Sequence, residues 1–477
     1  MDAFVRTVSE QIDRADRLRE ALALLGVADP AQDADALSGA AADPALVPSR
    51  ARWLPELLRS ARPGFGARVL RELAHARGEE GLPPLDFERV RWLPRLLGSS
   101  NVLARVLLRG PHLADELAGD PPPAPPHVPE AAWSSIRETK YRGLLRIAAR
   151  DLAGRPVGEG LRELSDLADA CLAAGLICAA ETTGAAPPSL LALGKLGGRE
   201  LNFSSDVDLL FVYDESPGAG DGARHAEVCR LVRVLKAGLE KPESDGFAYR
   251  VDLDLRPDGA QGPLVNTVDA ALGYYEALGH DWERQMLIRL RPVAGPPAPA
   301  RAFVDGVVPF VYRRLIDPSV PRAVRAMKLR IEDERRRAGR DLEFELKEGP
   351  GGIRDVEFLV QALQLFHGGR HPSIRTGNVL DALDRLVRER LLPESAGEEL
   401  ARAYTWLRRA EHAIQMVEER QTQRFPREPD EQLALARRMG YADLEGERAR
   451  AHLIEDWTTC RGAVRLHFDA LVLGGEG

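Results

Sequence analysis

The chain has 477 residues and a mass of 52.3 kDa, with 44% hydrophobic, 29% charged and 6% aromatic residues. That is the balance of a soluble globular protein rather than a disordered or fibrous one, and at this length roughly three quarters of the unfolded surface is buried, enough for about two to four domains. The net charge of −8 is spread along the chain with acids interleaved in every basic stretch, so no nucleic-acid partner is expected, and the longest apolar stretch, Ala170 to Ala180, is too short to span a bilayer, so no membrane segment is expected.

The first twenty residues, MDAFVRTVSEQIDRADRLRE, mix both charge signs and have no apolar core. They are expected to start a helix rather than to act as a signal peptide, and the chain is expected to be cytoplasmic. On to about Asp120, apolar residues recur three and four apart, as in 53–60 and 102–118, which predicts an all-α N-terminal region over 1–125. Residues 120–129, DPPPAPPHVP, lack backbone donors, favour extended polyproline geometry and predict a semi-rigid separator. A long amphipathic pattern over 131–183 gives way near Pro187 to short apolar or alternating runs bounded by glycine, serine and aspartate. Strands are predicted at Leu190–Leu193, Val207–Tyr213 and Phe247–Arg256, with a Gly/Asp loop at 216–223 and a helix over 224–241 between the last two. After a second proline-rich break at 295–300, helices return through Leu473. The predicted fold class is α+β: a core with a leading helix and a small sheet over 130–300, flanked by helical regions over 1–125 and 301–477. The strand motif is not repeated, so one such core is expected.

Four cysteines, Cys171, Cys178, Cys229 and Cys460, have neither CxxC spacing nor a histidine partner, which argues for buried thiols rather than zinc or a redox pair. None of the ten histidines has HExxH spacing, so His367 and His371 are expected beside the Gly368-Gly369 turn as loop residues, and no Ser-His-Asp signature is present. Lysine occurs only at Lys140, Lys195, Lys236, Lys241, Lys328 and Lys347, so most basic sites are arginine through coding bias. Lys195 stands out because it lies in a glycine-rich turn, where a compact ammonium acts as a point charge on phosphate.

In Ser205-Asp206-Val207-Asp208 the two aspartates are two apart on a predicted strand, so both leave one face while Val207 and Leu209 enter the core. Two carboxylates pointing together at solvent repel one another, and hard oxygen ligands at this spacing suit magnesium or manganese, which also bind phosphate oxygens. The simpler reading of the same triplet is a polar strand end where two acids meet water. Gly194-Lys195-Leu196-Gly197-Gly198 follows a strand, and Ser204-Ser205 precedes the acids; glycines let backbone amides approach anionic oxygens, and hydroxyls add donors. The turn lacks the Walker and Rossmann spacings. Asp252 and Asp254 on the third strand supply a further carboxylate. Three acids from two strands can hold two metal ions about 4 Å apart, the arrangement for in-line displacement at phosphorus, which points to nucleotidyl transfer.

LGKLGGRELNFSSDVDLLFVY (193–213) resembles the signature of the bifunctional glutamine synthetase adenylyltransferase/adenylyl-removing enzymes. The resemblance continues in YRVDLDLRPDGAQGPLV (249–265), GHDWERQ (279–285), KEGPGGIRDVEFLVQ (347–361) and LRRAEHAIQMVEERQTQRFP (407–426), and more weakly in LLGSSNVLARVLLRGPHL (96–113). It implies a DNA polymerase β type nucleotidyltransferase core, a Mg²⁺ or Mn²⁺ cofactor, phosphate and ADP or ATP as small substrates, glutamine synthetase as protein substrate and a PII signalling protein as a further partner. Members of the family carry two such halves; ELNFSSD (200–206) and the helical region before it resemble the N-terminal, adenylyl-removing half. By position, the resemblance makes Asp206, Asp208 and Asp252 the metal-binding triad, with Asp252 preferred to Asp254 because it fills the Arg-Val-Asp position. Asp254 stands where the family pattern has arginine, and Arg256 on the same face is expected to offset it while contacting phosphate. Adenylyl transfer from ATP, uridylyl transfer to PII and a catalytically silent binding module are the alternatives.

On the predicted helix Gly352 to Phe366, Arg354, Glu357, Gln361 and Gln364 fall within about 80° of arc on an otherwise apolar surface. Either this stripe is the solvent face, or it lines the cleft with Arg354 or Glu357 orienting substrate; the resemblance favours the second. Asp281-Trp282-Glu283-Arg284 and Arg291 are expected either to bind nucleotide or to hold structure together.

Overall fold

Val207–Tyr213, the longest strand among the described residues, is the centre of a five-stranded mixed sheet. The computed structural model describes residues 12, 14–119, 127–214, 221–314, 320–337, 339, 341–441 and 445–473. Residues 1–11 of the predicted helix start, 120–126 of the proline-rich separator and 216–220 of the Gly/Asp loop therefore lie outside the described residues. Elements that build the sheet region are labelled in chain order: α1 (Val157–Thr183), β1 (Ser189–Ala192), α2 (Gly194–Gly197), β2 (Val207–Tyr213), α3 (Asp221–Glu240), β3 (Val251–Asp252), β4 (Asn266–Thr267), α4 (Val268–Ala277), α5 (Asp281–Leu287), β5 (Arg291–Ala294), α6 (Pro297–Val311) and α7 (Ile353–His367).

The chain divides into two compact units, each assembled from distant segments. One comprises 1–124, 141–160 and 406–459, and its named elements among the described residues are helices. Its helices start where the sequence supplies stops and caps: Pro30 follows Asp29, whose carboxylate accepts from Gln32 N–H, and Ser100 Oγ caps Leu103 N–H. Ser100 Oγ also donates to the Met416 carbonyl at 2.6 Å, and Arg437 Nη2 to that of Leu25 at 2.6 Å, so residues over three hundred positions apart share a core.

The second unit, 125–140, 161–405 and 460–477, carries the sheet. Its order is β3-β2-β1-β5, with β4 also pairing β2. β1 is antiparallel to β2 and to β5; along its other edge β2 runs parallel to β3 at its start and to β4 at its end. Leu191, Leu210 and Val212 face α4 and α6 in one core with Val268, Tyr275, Phe303 and Val307, while Leu209 and Phe211 on the opposite face are buried as well. An α+β class with a small sheet is what the order of predicted elements implied. No described helix is long and apolar enough to cross a membrane.

The third strand is much shorter than expected, Val251–Asp252 instead of Phe247–Arg256. Ahead of it, the N–H groups of Ala248 and Tyr249 both donate to the Leu239 carbonyl at the end of α3. Behind it, Asp252 Oδ1 accepts the Asp254 N–H at 2.8 Å and turns the chain. Capture of backbone donors by the Leu239 carbonyl and by the Asp252 side chain therefore overrides the strict alternation.

Candidate active site

Asp208 leaves β2 on the same face as Leu210 and Val212, the residues that enter the core with α4 and α6. The sequence suggested a carboxylate aimed at solvent; instead it is half-buried at the mouth of that core. Leu193 N–H donates to the Asp208 carbonyl at 2.9 Å, and Gly194 follows with φ +54°. A Cβ on Gly194 would stand 1.9 Å from Asp208 Oδ2, so glycine is required both by the backbone and by the carboxylate lying against it. Gly197 is equally constrained, since a Cβ there would lie 2.0 Å from the Arg289 carbonyl, and Gly198 packs against the Gly377 carbonyl. Lys195, Ser204 and Ser205 are buried around this turn; Ser205 Oγ accepts from Asn202 N–H at 3.4 Å.

The parallel register sets Val207 beside Val251 and Asp208 beside Asp252. One step earlier, Arg250 Nε donates to Asp206 Oδ1 at 2.5 Å, its Nη2 donates to the Ser204 carbonyl, and its guanidinium lies 5.6 Å from the Phe247 ring centre. Burial, followed by the charge of Asp252, pushes the Asp208 carboxyl up to about 6; Lys347 opposes this, Asp206 adds to it, and Lys195 opposes it. The site thus concentrates negative charge that a hard divalent cation would relieve, and the oxygen donors of Asp208 and Asp252 suit such an ion. Among the described residues, no group of three or more His, Cys, Asp or Glu side chains is placed to hold a metal ion. Asp206, the third candidate, is bonded to Arg250 instead.

The other expected residues are tied down elsewhere. Arg256 donates to the carbonyls of Leu253, Ala260, Gly262 and Pro263, closing its own loop, with exposed Asp254 at 3.6 Å. Arg354 pairs with Glu348 at 3.2 Å and stands over Phe358. The polar stripe on α7 is not a solvent face, because Glu357, Gln361 and Gln364 are all buried. Glu357 accepts from Arg289 at 3.0 Å; Arg289 also reaches Glu200 at 3.3 Å, and Glu200 accepts from Tyr404 Oη and Val379 N–H. Burial alone would lower the Arg289 pKa, but Glu357 and Glu200 outweigh it and raise it. Gln361 accepts from Gln285, and Gln364 donates to the carbonyls of Ile374 and Thr376. The stripe welds α7 to its neighbours.

In the DWER motif, Glu283 closes a capping box with His280, while Arg284 donates to the carbonyls of Phe310 and Val311 at the end of α6. Arg291 makes a bidentate pair with Asp169. His371 contacts Glu389 at 3.2 Å beside the Gly368-Gly369 turn, and all four cysteines are free thiols.

Two residues at the site escaped the sequence reading. Arg250 shares strand parity with Asp252 and lies opposite Asp206 once the strands are taken as parallel; the pairing direction was the missing signal. Lys347, one of only six lysines, acts on Asp208 from the segment before α7, a proximity no local pattern encodes.

Residues 90–305 match the glutamate-ammonia ligase adenylyltransferase family, and residues 325–472 match the GlnD PII-uridylyltransferase family. The chain is 40% identical over 355 residues to the bifunctional glutamine synthetase adenylyltransferase/adenylyl-removing enzyme of Nitrosococcus oceani, covering 70% of this chain and 36% of that protein. It is 37% identical over 427 residues to the protein of the same name from Thioalkalivibrio sulfidiphilus, covering 82% and 43%, and 38% identical over 358 residues to that of Pseudomonas aeruginosa, covering 71% and 35%. The aligned region therefore spans well under half the length of these relatives. Residues 90–305 are thus similar to the glutamate-ammonia ligase adenylyltransferase family, a match over a little under half of the chain.

Proposed function

We propose that this chain is a metal-dependent nucleotidyltransferase that removes AMP from adenylyl-tyrosine on glutamine synthetase. The observation that carries the reading is the register of Asp208 beside Asp252, with Asp206 one step before and the Gly194 turn against the Asp208 carboxylate. In the reaction, an oxygen of inorganic phosphate attacks the AMP phosphorus, the bond from phosphorus to the tyrosine oxygen breaks, and ADP and unmodified synthetase result. Asp208, Asp252 and Asp206 would hold Mg²⁺ or Mn²⁺, which supplies charge neutralisation at phosphorus and activation of the attacking oxygen. Backbone amides of 194–196, with Lys195, Ser204 and Ser205, receive the phosphate, while Gly197 and Gly198, whose N–H groups donate to the Leu193 and Gly194 carbonyls, shape the turn. Arg256, Arg354 and Glu357 hold the loop and helix that frame it.

The core is read as the DNA polymerase β type over 130–300, working in the cytoplasm, with helical regions 1–125 and 301–477 for the protein substrate and for a PII protein. The relatives' names support glutamine synthetase as the target, and the likeness of residues 200–206 to the N-terminal half supports the removing direction. Incubating adenylylated synthetase with phosphate and Mg²⁺ tests this: release of ADP is the expected result. Pyrophosphate release from ATP with unmodified synthetase would reverse the direction, and turnover of UTP with PII would replace the substrate.

A further inference from the structure

We infer that Arg250 is a built-in counter-cation that holds Asp206 away from the divalent-ion site and must let go of it when an ion binds. The inference rests on the reading that Asp206, Asp208 and Asp252 receive a divalent ion. The parallel register places Arg250 across from Asp206 as Asp252 lies across from Asp208, so one strand pair offers a cation and three carboxylates in two successive steps. The guanidinium takes Asp206 Oδ1 at 2.5 Å and the Ser204 carbonyl together, which fixes the carboxylate at the entrance of β2.

Two features make this contact a latch rather than a structural weld. Both partners are about one-third exposed, 34% for Arg250 and 31% for Asp206, and solvent-screened ion pairs of that exposure are weak. A divalent ion drawing on two neighbouring carboxylates has the larger charge with which to compete. The surrounding backbone, moreover, does not depend on the Arg250 side chain. Val207 N–H donates to the Arg250 carbonyl at 3.0 Å, Glu240 Oε1 accepts from Val251 N–H at 2.9 Å, and Lys236 donates to the Val251 carbonyl. Phe247, against which the guanidinium rests, is held separately by Lys140, which donates to its carbonyl and lies 4.4 Å from its ring centre. The latch can open without moving β3.

The test is Mn²⁺ binding to the full chain, followed by electron paramagnetic resonance of the free ion and by calorimetry, with thermal melts to verify folding. Arg250→Gln removes the competing cation and is expected to tighten Mn²⁺ binding roughly two- to tenfold. Arg250→Lys keeps a charge but loses the paired donors, and is expected to show a smaller gain. The gain from Arg250→Gln should vanish when Asp206→Asn is added, because the latch has nothing left to hold. Unchanged or weaker binding in both Arg250 variants overturns the latch. If instead Asp208→Asn and Asp252→Asn bind Mn²⁺ as well as the parent chain, the ion site itself is overturned, a result distinct from failure of the latch.

Discussion

At Gly194 a single missing methyl decides whether the Asp208 carboxylate has a place to lie. An alanine there meets two penalties: the left-handed backbone, φ +54°, costs about 1–2 kcal/mol, and the new Cβ would sit 1.9 Å from Asp208 Oδ2 and must expel it. Gly194→Ala is therefore expected to lose most of the activity while urea unfolding registers only about 1–3 kcal/mol of destabilisation; equal, modest losses in both would remove Gly194 from the site. Asp208 makes a second residue-scale prediction. The folded chain holds its proton up to about pH 6, whereas an ordinary aspartate releases it near 3.8. Folding is therefore progressively disfavoured as pH climbs through that window, and the full cost stands above it. Without divalent ions, Asp208→Asn is expected to be more stable than the parent by about 1–3 kcal/mol near pH 8 and indistinguishable from it below about pH 4, as measured by urea melts across pH. The spacing of Asp206 and Asp208 was legible from the sequence because strand parity is local. The burial of Asp208 was not, because the turn at Gly194 that lies against its carboxylate belongs to a separate segment that no strand pattern contains.

Among the elements, α7 shows how periodicity can find a stripe without identifying what covers it. Arg354, Glu357, Gln361 and Gln364 were grouped correctly by helical geometry, yet three of the four are buried against groups from distant segments, including Arg289, Gln285 and the carbonyls of Ile374 and Thr376. The energetic centre is Arg289, which serves both Glu200 and Glu357. Arg289→Met leaves two buried carboxylates facing one another without their cation, and is expected to cost about 3–5 kcal/mol in chemical denaturation. Glu357→Gln keeps an acceptor for Arg289 and removes one charge of the pair, so it should cost clearly less. If Glu357→Gln proves the more damaging, Glu357 does something besides neutralise Arg289. The contrast with β3 is instructive. Its alternation was read correctly, but Asp252 bonds the Asp254 N–H and ends the strand at once. Alternation records side-chain parity and says nothing of which backbone donors will be captured.

For the whole molecule, the helical character of the flanking regions was legible because amphipathic spacing is repeated over many turns, whereas the way segments combine was not. Contacts such as Ser100 with Met416 and Arg437 with Leu25 join residues from opposite ends of the chain, and sequence periodicity carries no record of partners that far away. The ion site offers a reading of the assembled chain that does not depend on catalysis. A divalent ion that binds the folded chain and not the unfolded one adds stability as RT ln(1 + [L]/Kd), about 1.4 kcal/mol at ten times Kd. Melting followed by calorimetry should therefore shift upward with Mg²⁺, and further when phosphate is added, because the anion recruits Lys195 and the turn around Gly194. Asp208→Asn and Asp252→Asn should abolish the Mg²⁺ shift, while Arg256→Ala, which loosens a loop but removes no metal ligand, should retain it on a lower baseline. A Mg²⁺ shift that survives both aspartate substitutions would locate the ion elsewhere, and the paired carboxylates of β2 and β3 would then be a strand edge with shared charge and no ion to hold.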